Sequence, residues 1–295
     1  MNGRLVILAG GISSRMKKSL SASVEIEREL REDAEHKTKT MIGVGENHRP
    51  FLDYLLFNGR ETGYEDVVIV VGEGDESIRN HYGNKEQGNL LNGLSISYAV
   101  QKIPEGRTKP LGTADALLCG LRFRDDWRGG KFTVCNSDNL YSKRALKLML
   151  DSPYPNALVD YDRSALKFEQ SRIGKFAVTK KDKENFLLDI IEKPSPEQIE
   201  NVRCKYGKVG VSMNIFGLDY DMILPYLERV PLHPVRQEKE LPAAVIMMVK
   251  DFPNSCYAYP LSEHVPDLTQ LNDIAIVRDY LNEEFQDFSF TRSKV

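Results

Sequence analysis

The chain has 295 residues, of which 41% are hydrophobic, 28% charged and 9% aromatic. It can therefore bury a full core, and its aromatic content argues against disorder. A formal net charge of −3 gives no reason to expect nucleic acid or an anionic membrane as a partner. In chain order, apolar runs rich in β-branched residues predict strands at 5–8, 67–71, 94–98, 131–135, 157–160, 175–178 and 187–192. Helical patterns fall between the earlier ones, at 51–62, 114–121 and 142–150. This alternation implies an α/β fold with a mostly parallel sheet flanked by helices, whose ligands bind beyond the C-terminal strand ends. Gly10-Gly11 and Asp138 both lie just past such ends.

Between the first strand and the first helix runs a charged stretch, 20–36, whose Glu25, Glu27, Arg28, Glu29, Arg31, Glu32, Asp33 and Glu35 predict an exposed helix or solvated excursion, with a mobile lid as the alternative. Cys119, Cys135, Cys204 and Cys256 are widely spaced and lack metal-ligand spacing, so they read as buried reduced thiols. The apolar run at 5–8 is too short for a signal peptide, and no stretch is long enough to span a bilayer. A cytoplasmic protein of one domain over 1–295 is the expectation, with a homo-oligomer left open.

The chemistry begins at Leu8-Ala9-Gly10-Gly11-Ile12-Ser13-Ser14-Arg15-Met16. A buried strand that breaks into paired glycines, small hydroxyls and an arginine presents backbone N–H groups and a positive charge to phosphates. It is neither a Walker loop, since Met16 stands where the second glycine would, nor a Gly-x-Gly-x-x-Gly fingerprint. A plain Gly-Gly turn is the bland alternative. Further on stand Lys37-Thr38-Lys39-Thr40-Met41, Gln101, Pro110-Leu111-Gly112-Thr113-Ala114, Cys135-Asn136-Ser137-Asp138, Arg172-Ile173-Gly174-Lys175-Phe176, Glu192-Lys193-Pro194, Val211-Ser212-Met213-Asn214 and Val265-Pro266-Asp267-Leu268-Thr269. A glutamine amide suits a pyrimidine edge, and a Gly-Thr pair suits close backbone approach followed by a helix cap.

In this order, the motifs resemble those of the sugar-1-phosphate nucleotidyltransferase family over nearly the whole chain. The resemblance implies a Rossmann-like, glycosyltransferase-A-like fold with sugar-pocket insertions, residues of about 150–260 forming the sugar-binding part. It also implies transfer of a nucleotidyl group from a nucleoside triphosphate to a sugar 1-phosphate, with Mg²⁺ as cofactor. By that resemblance Arg15, Lys39 and Lys193 are the catalytic cations, with Lys37 as the alternative to Lys39. Leu8, Ala9, Gly10, Gly11, Gln101, Gly112 and Thr113 bind the nucleotide. Gly174, Glu192, Lys193 and Asn214 meet the sugar phosphate, while Asp138 and Asp267 hold the metal and Asp273 starts a helix. No histidine is required as a base. Thr38 for proline, Ser137 for glycine, Val265 for tryptophan and Thr269 for glycine depart from the family pattern. Two other readings stay open: an acceptor that is a non-sugar phosphate, such as phosphocholine or a molybdenum cofactor, and a nucleotide-sensing relative without turnover.

Overall fold

A computed structural model describes residues 3–12, 16, 27–204, 207–286 and 288. The chain divides into two compact units, the first comprising Met1–Pro110, Asn136–Lys143 and Pro266–Val295, the second Leu111–Cys135 and Arg144–Val265. The class is α/β, as the alternation of apolar runs and helical patterns implied.

In the first unit the strands are β1 (Gly3–Leu8), β2 (Gly43–Gly45), β3 (Arg49–Pro50), β4 (Tyr64–Gly72), β5 (Asn89–Leu91) and β6 (Leu94–Gln101). Strands β1, β4 and β6 are parallel neighbours, and β5 closes the edge antiparallel to β6. Leu5, Val6, Ile7 and Val67 through Val71 are wholly buried, as expected of parallel strands covered on both faces. The covering helix Phe51–Thr62 starts straight after Pro50 and stops at Gly63, whose φ of 101° is the left-handed conformation that ends a helix. Its apolar residues are buried on nearly every side; the sequence pattern anticipated the helix but not this all-round burial.

The charged stretch is in part the helix expected of it, with one face buried. Residues 20–26 lie outside the described residues, but 28–36 form a helix, Arg28–His36, that buries Leu30, Asp33 and Ala34. Asp33 accepts from the Gly43 N–H at 2.9 Å and pairs with Lys37 and with His48 Nε2 at 2.8 Å. The Arg278 guanidinium grips Glu27 with two bonds of 2.9 and 3.0 Å and holds that carboxyl below its usual range. This part of the insert is an anchored helix, because two apolar residues four apart and one buried carboxylate supply a face that the surrounding charges mask in sequence.

In the second unit the strands are β7 (Lys131–Asn136), β8 (Asn156–Asp162), β9 (Val178–Lys181), β10 (Leu187–Ile191), β11 (Gly210–Asp219) and β12 (Cys256–Leu261). Strand β11 is the hub: it runs antiparallel to β7, β8 and β9, β10 extends the sheet beyond β9, and β12 lies parallel to β8. The strand expected at 175–178 begins only at Val178, because a short helix, Gln170–Ile173, and a tight turn through Phe176 occupy the preceding residues. All four cysteines are free; Cys135 and Cys256 are buried and Cys119 half-buried, but Cys204 is exposed, since it follows the short helix Pro196–Asn201 and opens a turn closed by Gly207. Among the described residues no helix is long and apolar enough to cross a membrane.

Candidate active site

In the first unit the C-terminal ends of three parallel strands bring the nucleotide-side residues together. Leu8 ends β1, Gln101 ends β6 and Gly72 ends β4. Gly10 lies against Gln101, since a Cβ there would stand 2.8 Å from Gln101 Oε1. Gln101 is only 2% exposed, so its amide is held beside the loop backbone rather than waving in solvent. Gly11 is exposed, and a Cβ there would meet nothing within 4 Å. The main chain past Ala9 is thereby open to a ligand at the crevice that open parallel sheets use.

Asp138 enters beside this loop because the turn after β7 is pinned: the Ser137 N–H donates to the Leu8 carbonyl at 3.2 Å. Ser137 is buried there. Asp267 comes from much later in the chain. The Leu268 N–H donates to the Asp138 carbonyl at 2.8 Å, the Leu140 N–H donates to the Pro266 carbonyl at 2.9 Å, and Asn139 bridges Asp267. The Thr269 hydroxyl donates to Asp267, and Asp273 accepts the Thr269 and Gln270 N–H groups, both at 2.8 Å, at the start of helix Asp273–Glu284. Two carboxylates distant in sequence are therefore set on adjoining backbone.

The lysine is the third element. Lys39 opens a single 3₁₀ turn, Lys39–Met41, whose Thr40 and Met41 are buried, and its ammonium is ion-paired with Asp138. Lys37, the alternative phosphate ligand, is held by Asp33 instead. Arg15 lies outside the described residues. Among the described residues no group of three or more His, Cys, Asp or Glu is gathered as a metal cage. Two hard carboxylates fit Mg²⁺, which takes one or two protein carboxylates and completes its shell with phosphates and water.

The second unit holds the remaining expected contacts, three of which, Gly112, Thr113 and Glu192, meet a segment that the sequence did not single out, 233–241. Gly112 sits at φ 106° and ψ −172°, and a Cβ there would lie 2.6 Å from the Lys239 carbonyl. Its freedom is thus required by the neighbouring chain. Thr113, expected to cap its own helix, begins Thr113–Phe123, and its hydroxyl instead accepts the N–H of Leu241, first residue of helix Leu241–Asp251. Arg236 donates to Glu192 at 3.3 Å and pairs with Glu240 at 2.9 Å. Burial pushes the Glu240 carboxyl up. The only sequence signal for this segment is the cluster Arg236-Gln237-Glu238-Lys239-Glu240 ahead of a helix.

Glu192 and Lys193 are exposed just past β10, with Pro194 buried behind them. Lys193 has φ 47° and Asn214 φ 57°, conformations that cost a non-glycine residue energy and that gather at functional sites. Asn214 falls where the β11–β8 register shifts between Ser212 and Phe216, a bulge that re-aims the strand. Gly174 caps the helix Gln170–Ile173 at φ −59°, so nothing in its backbone demands glycine. Near it, His264 Nδ1 accepts the Lys167 N–H at 3.2 Å and the ring lies edge-on to Phe168. Burial lowers its pKa to about 4, leaving a neutral ring at pH 7.

The family model for nucleotidyl transferases matches residues 30–252. This chain belongs to the nucleotidyl transferase family. Among its relatives, a UTP–glucose-1-phosphate uridylyltransferase, YngB of Bacillus subtilis, is 24% identical over 192 residues, 58% of this chain and 61% of that protein. The bifunctional protein GlmU of Symbiobacterium thermophilum is 29% identical over 134 residues, covering 45% of this chain and 21% of GlmU. GlmU of Staphylococcus epidermidis is 21% identical over 251 residues, 85% of this chain and 46% of GlmU. The chain thus spans less than two thirds of the length of each of these relatives.

Proposed function

We propose that this chain transfers a nucleotidyl group from a nucleoside triphosphate to a sugar 1-phosphate, releasing pyrophosphate and giving a nucleotide-sugar. The observation that carries the reading is the meeting of Lys39, Asp138 and Asp267 beside the β1 loop in one unit. One cation and two carboxylates beside the loop that follows β1 suit a triphosphate and its counter-ion.

The obstacle to this reaction is bringing two polyanions together, so the residues act by positioning and charge neutralisation. The backbone of Leu8, Ala9, Gly10 and Gly11 receives the phosphates, Lys39 meets them, and Arg15 stabilises the departing pyrophosphate. Asp138 and Asp267 would hold Mg²⁺, whose chemistry is to withdraw charge from the α-phosphate. Lys193 orients the acceptor phosphate, whose oxygen attacks the α-phosphorus in line; it is already ionised, so no general base is needed, in keeping with a neutral His264. Glu192, Gly174 and Asn214 take the sugar, and Arg236 fixes the Glu192 carboxylate. Gln101, with Gly112 and Thr113, reads the base. An amide held rigid beside Gly10 suits a pyrimidine, and the uridylyltransferase named in Bacillus subtilis supports the same preference.

The test is pyrophosphate release from a matrix of nucleoside triphosphates against hexose 1-phosphates, with phosphocholine as a non-sugar acceptor. Turnover with UTP or dTTP and a hexose 1-phosphate is expected. Turnover only with phosphocholine would overturn the acceptor, and silence across the matrix would overturn catalysis.

A further inference from the structure

We infer that Lys39 is a built-in counter-cation for Asp138, and that a divalent metal and Lys39 compete for that carboxylate. Metal entry and release of Lys39 toward the phosphates are then one exchange. The inference rests on the reading of Lys39, Asp138 and Asp267 as the nucleotide and metal site.

The argument starts from the two partners' unequal freedom. Asp138 is fixed by its backbone, with Ser137 bonded to Leu8 and the Asp138 carbonyl bonded to Leu268, so it cannot follow a departing partner. The turn carrying Lys39 is fixed as well, since the N–H and hydroxyl of Thr38 both rest on Ser77 Oγ, at 3.4 and 3.2 Å, and Thr40 and Met41 are buried. What can move is the Lys39 side chain, four methylenes ending in a compact charge. Its ammonium lies on Asp138 Oδ2, and both side chains are only 18% exposed, so water and salt screen the pair poorly. A second cation arriving on the same carboxylate meets the ammonium at close range and is repelled. A triphosphate removes the conflict by offering Lys39 several anionic oxygens, leaving Asp138 to the metal. Ligands that exclude one another at a shared group weaken each other, and those that relieve the exclusion bind together.

The probe is Mn²⁺ alone, with free Mn²⁺ read by electron paramagnetic resonance and no nucleotide or turnover involved. Lys39→Met, which keeps the stem and removes the charge, should bind Mn²⁺ about tenfold more tightly than the wild type. Lys39→Gln serves as a second neutral variant should the methionine variant melt early. Lys39→Arg keeps the charge and should stay as weak as the wild type. Asp138→Asn should lose Mn²⁺ binding. If both neutral variants bind Mn²⁺ no better than the wild type while Asp138→Asn loses it, the exchange is wrong and the metal site stands. If Asp138→Asn binds Mn²⁺ as the wild type does, the site reading itself is wrong.

Discussion

Replacing Gly112 with alanine tests the claim that the segment through Lys239 is seated by one close backbone approach. The φ and ψ of 106° and −172° lie in a region used almost only by glycine, and forcing alanine into it costs roughly 1–3 kcal/mol. The new Cβ would stand 2.6 Å from the Lys239 carbonyl oxygen, 3.1 Å from its nitrogen and 3.0 Å from Glu238 Cβ. Two of those atoms are backbone, so relief requires moving the chain. That chain is tied by the Ala114 N–H on the Lys239 carbonyl at 3.0 Å, by the Lys239 N–H on the Leu111 carbonyl, and by Leu241 on the Thr113 hydroxyl at 2.9 Å. Weakening two of these adds about 1–3 kcal/mol. The sum, on the order of 2–6 kcal/mol, is a large part of a typical domain's stability. Urea unfolding followed by circular dichroism should show a midpoint drop of that size. Because segment 236–241 carries Arg236, whatever fold remains should also bind sugar phosphate more weakly. A loss below about 1 kcal/mol would refute the close-approach argument.

Four further outcomes are expected. Gly11→Ala meets open space, so its melting temperature should hold within the error of a surface change, while triphosphate affinity by calorimetry falls about tenfold if the loop backbone receives phosphates; unchanged affinity would remove the loop from the site. His264, with a pKa near 4 in the fold against about 6.5 unfolded, takes up a proton on unfolding between those values. Stability should therefore be full above pH 6.5 and fall by roughly 1–3 kcal/mol toward pH 4, after allowance for partial exposure, and His264→Asn should flatten that slope in pH-resolved melts. Asp33→Ala strands the Gly43 N–H at about 1–3 kcal/mol, and hydrogen exchange should accelerate across 28–36 and 43–48; unchanged exchange would show that the helix is not held there. A thiol reagent should label exposed Cys204 first, with Cys256 and Cys119 protected by burial that raises both, the latter to about 11; mass spectrometry showing Cys256 labelled first would contradict its placement.

Much of the first unit was legible in sequence because its signals are local. A continuous apolar run such as Leu5-Val6-Ile7-Leu8 can only be a covered strand here, and Gly-Gly at its end marks the crevice. The choice between Lys37 and Lys39 was not legible, since two lysines two residues apart in a charged stretch look alike; Asp33, four residues from Lys37, and Asp138 separate them only in three dimensions. The helix Arg28–His36 was anticipated, but its buried face was not, because Leu30 and Ala34 are outnumbered by charges and the buried Asp33 counts as polar in any pattern. Thr113 was assigned to its own helix by adjacency, whereas its hydroxyl serves Leu241, which no local rule connects to it. Arg236 went unnoticed for the same reason: its partner Glu192 belongs to a recognisable motif, but the contact is far from local.

The way Asp267 reaches Asp138 sets a clock on the protein's birth. Asp138 leaves the ribosome long before its companion, and at about 5–20 residues per second the interval is on the order of ten seconds. Until 266–268 arrive, the N–H of Leu140 and the carbonyl of Asp138 lack the backbone partners they have in the fold, while the Lys39 ammonium can already pair with the Asp138 carboxylate. A nascent chain can assemble β1 and this ion pair, yet the two carboxylates meet only after residues 266–268 are made. On the proposed function, a chain that has not reached them would not capture metal-bound nucleotide.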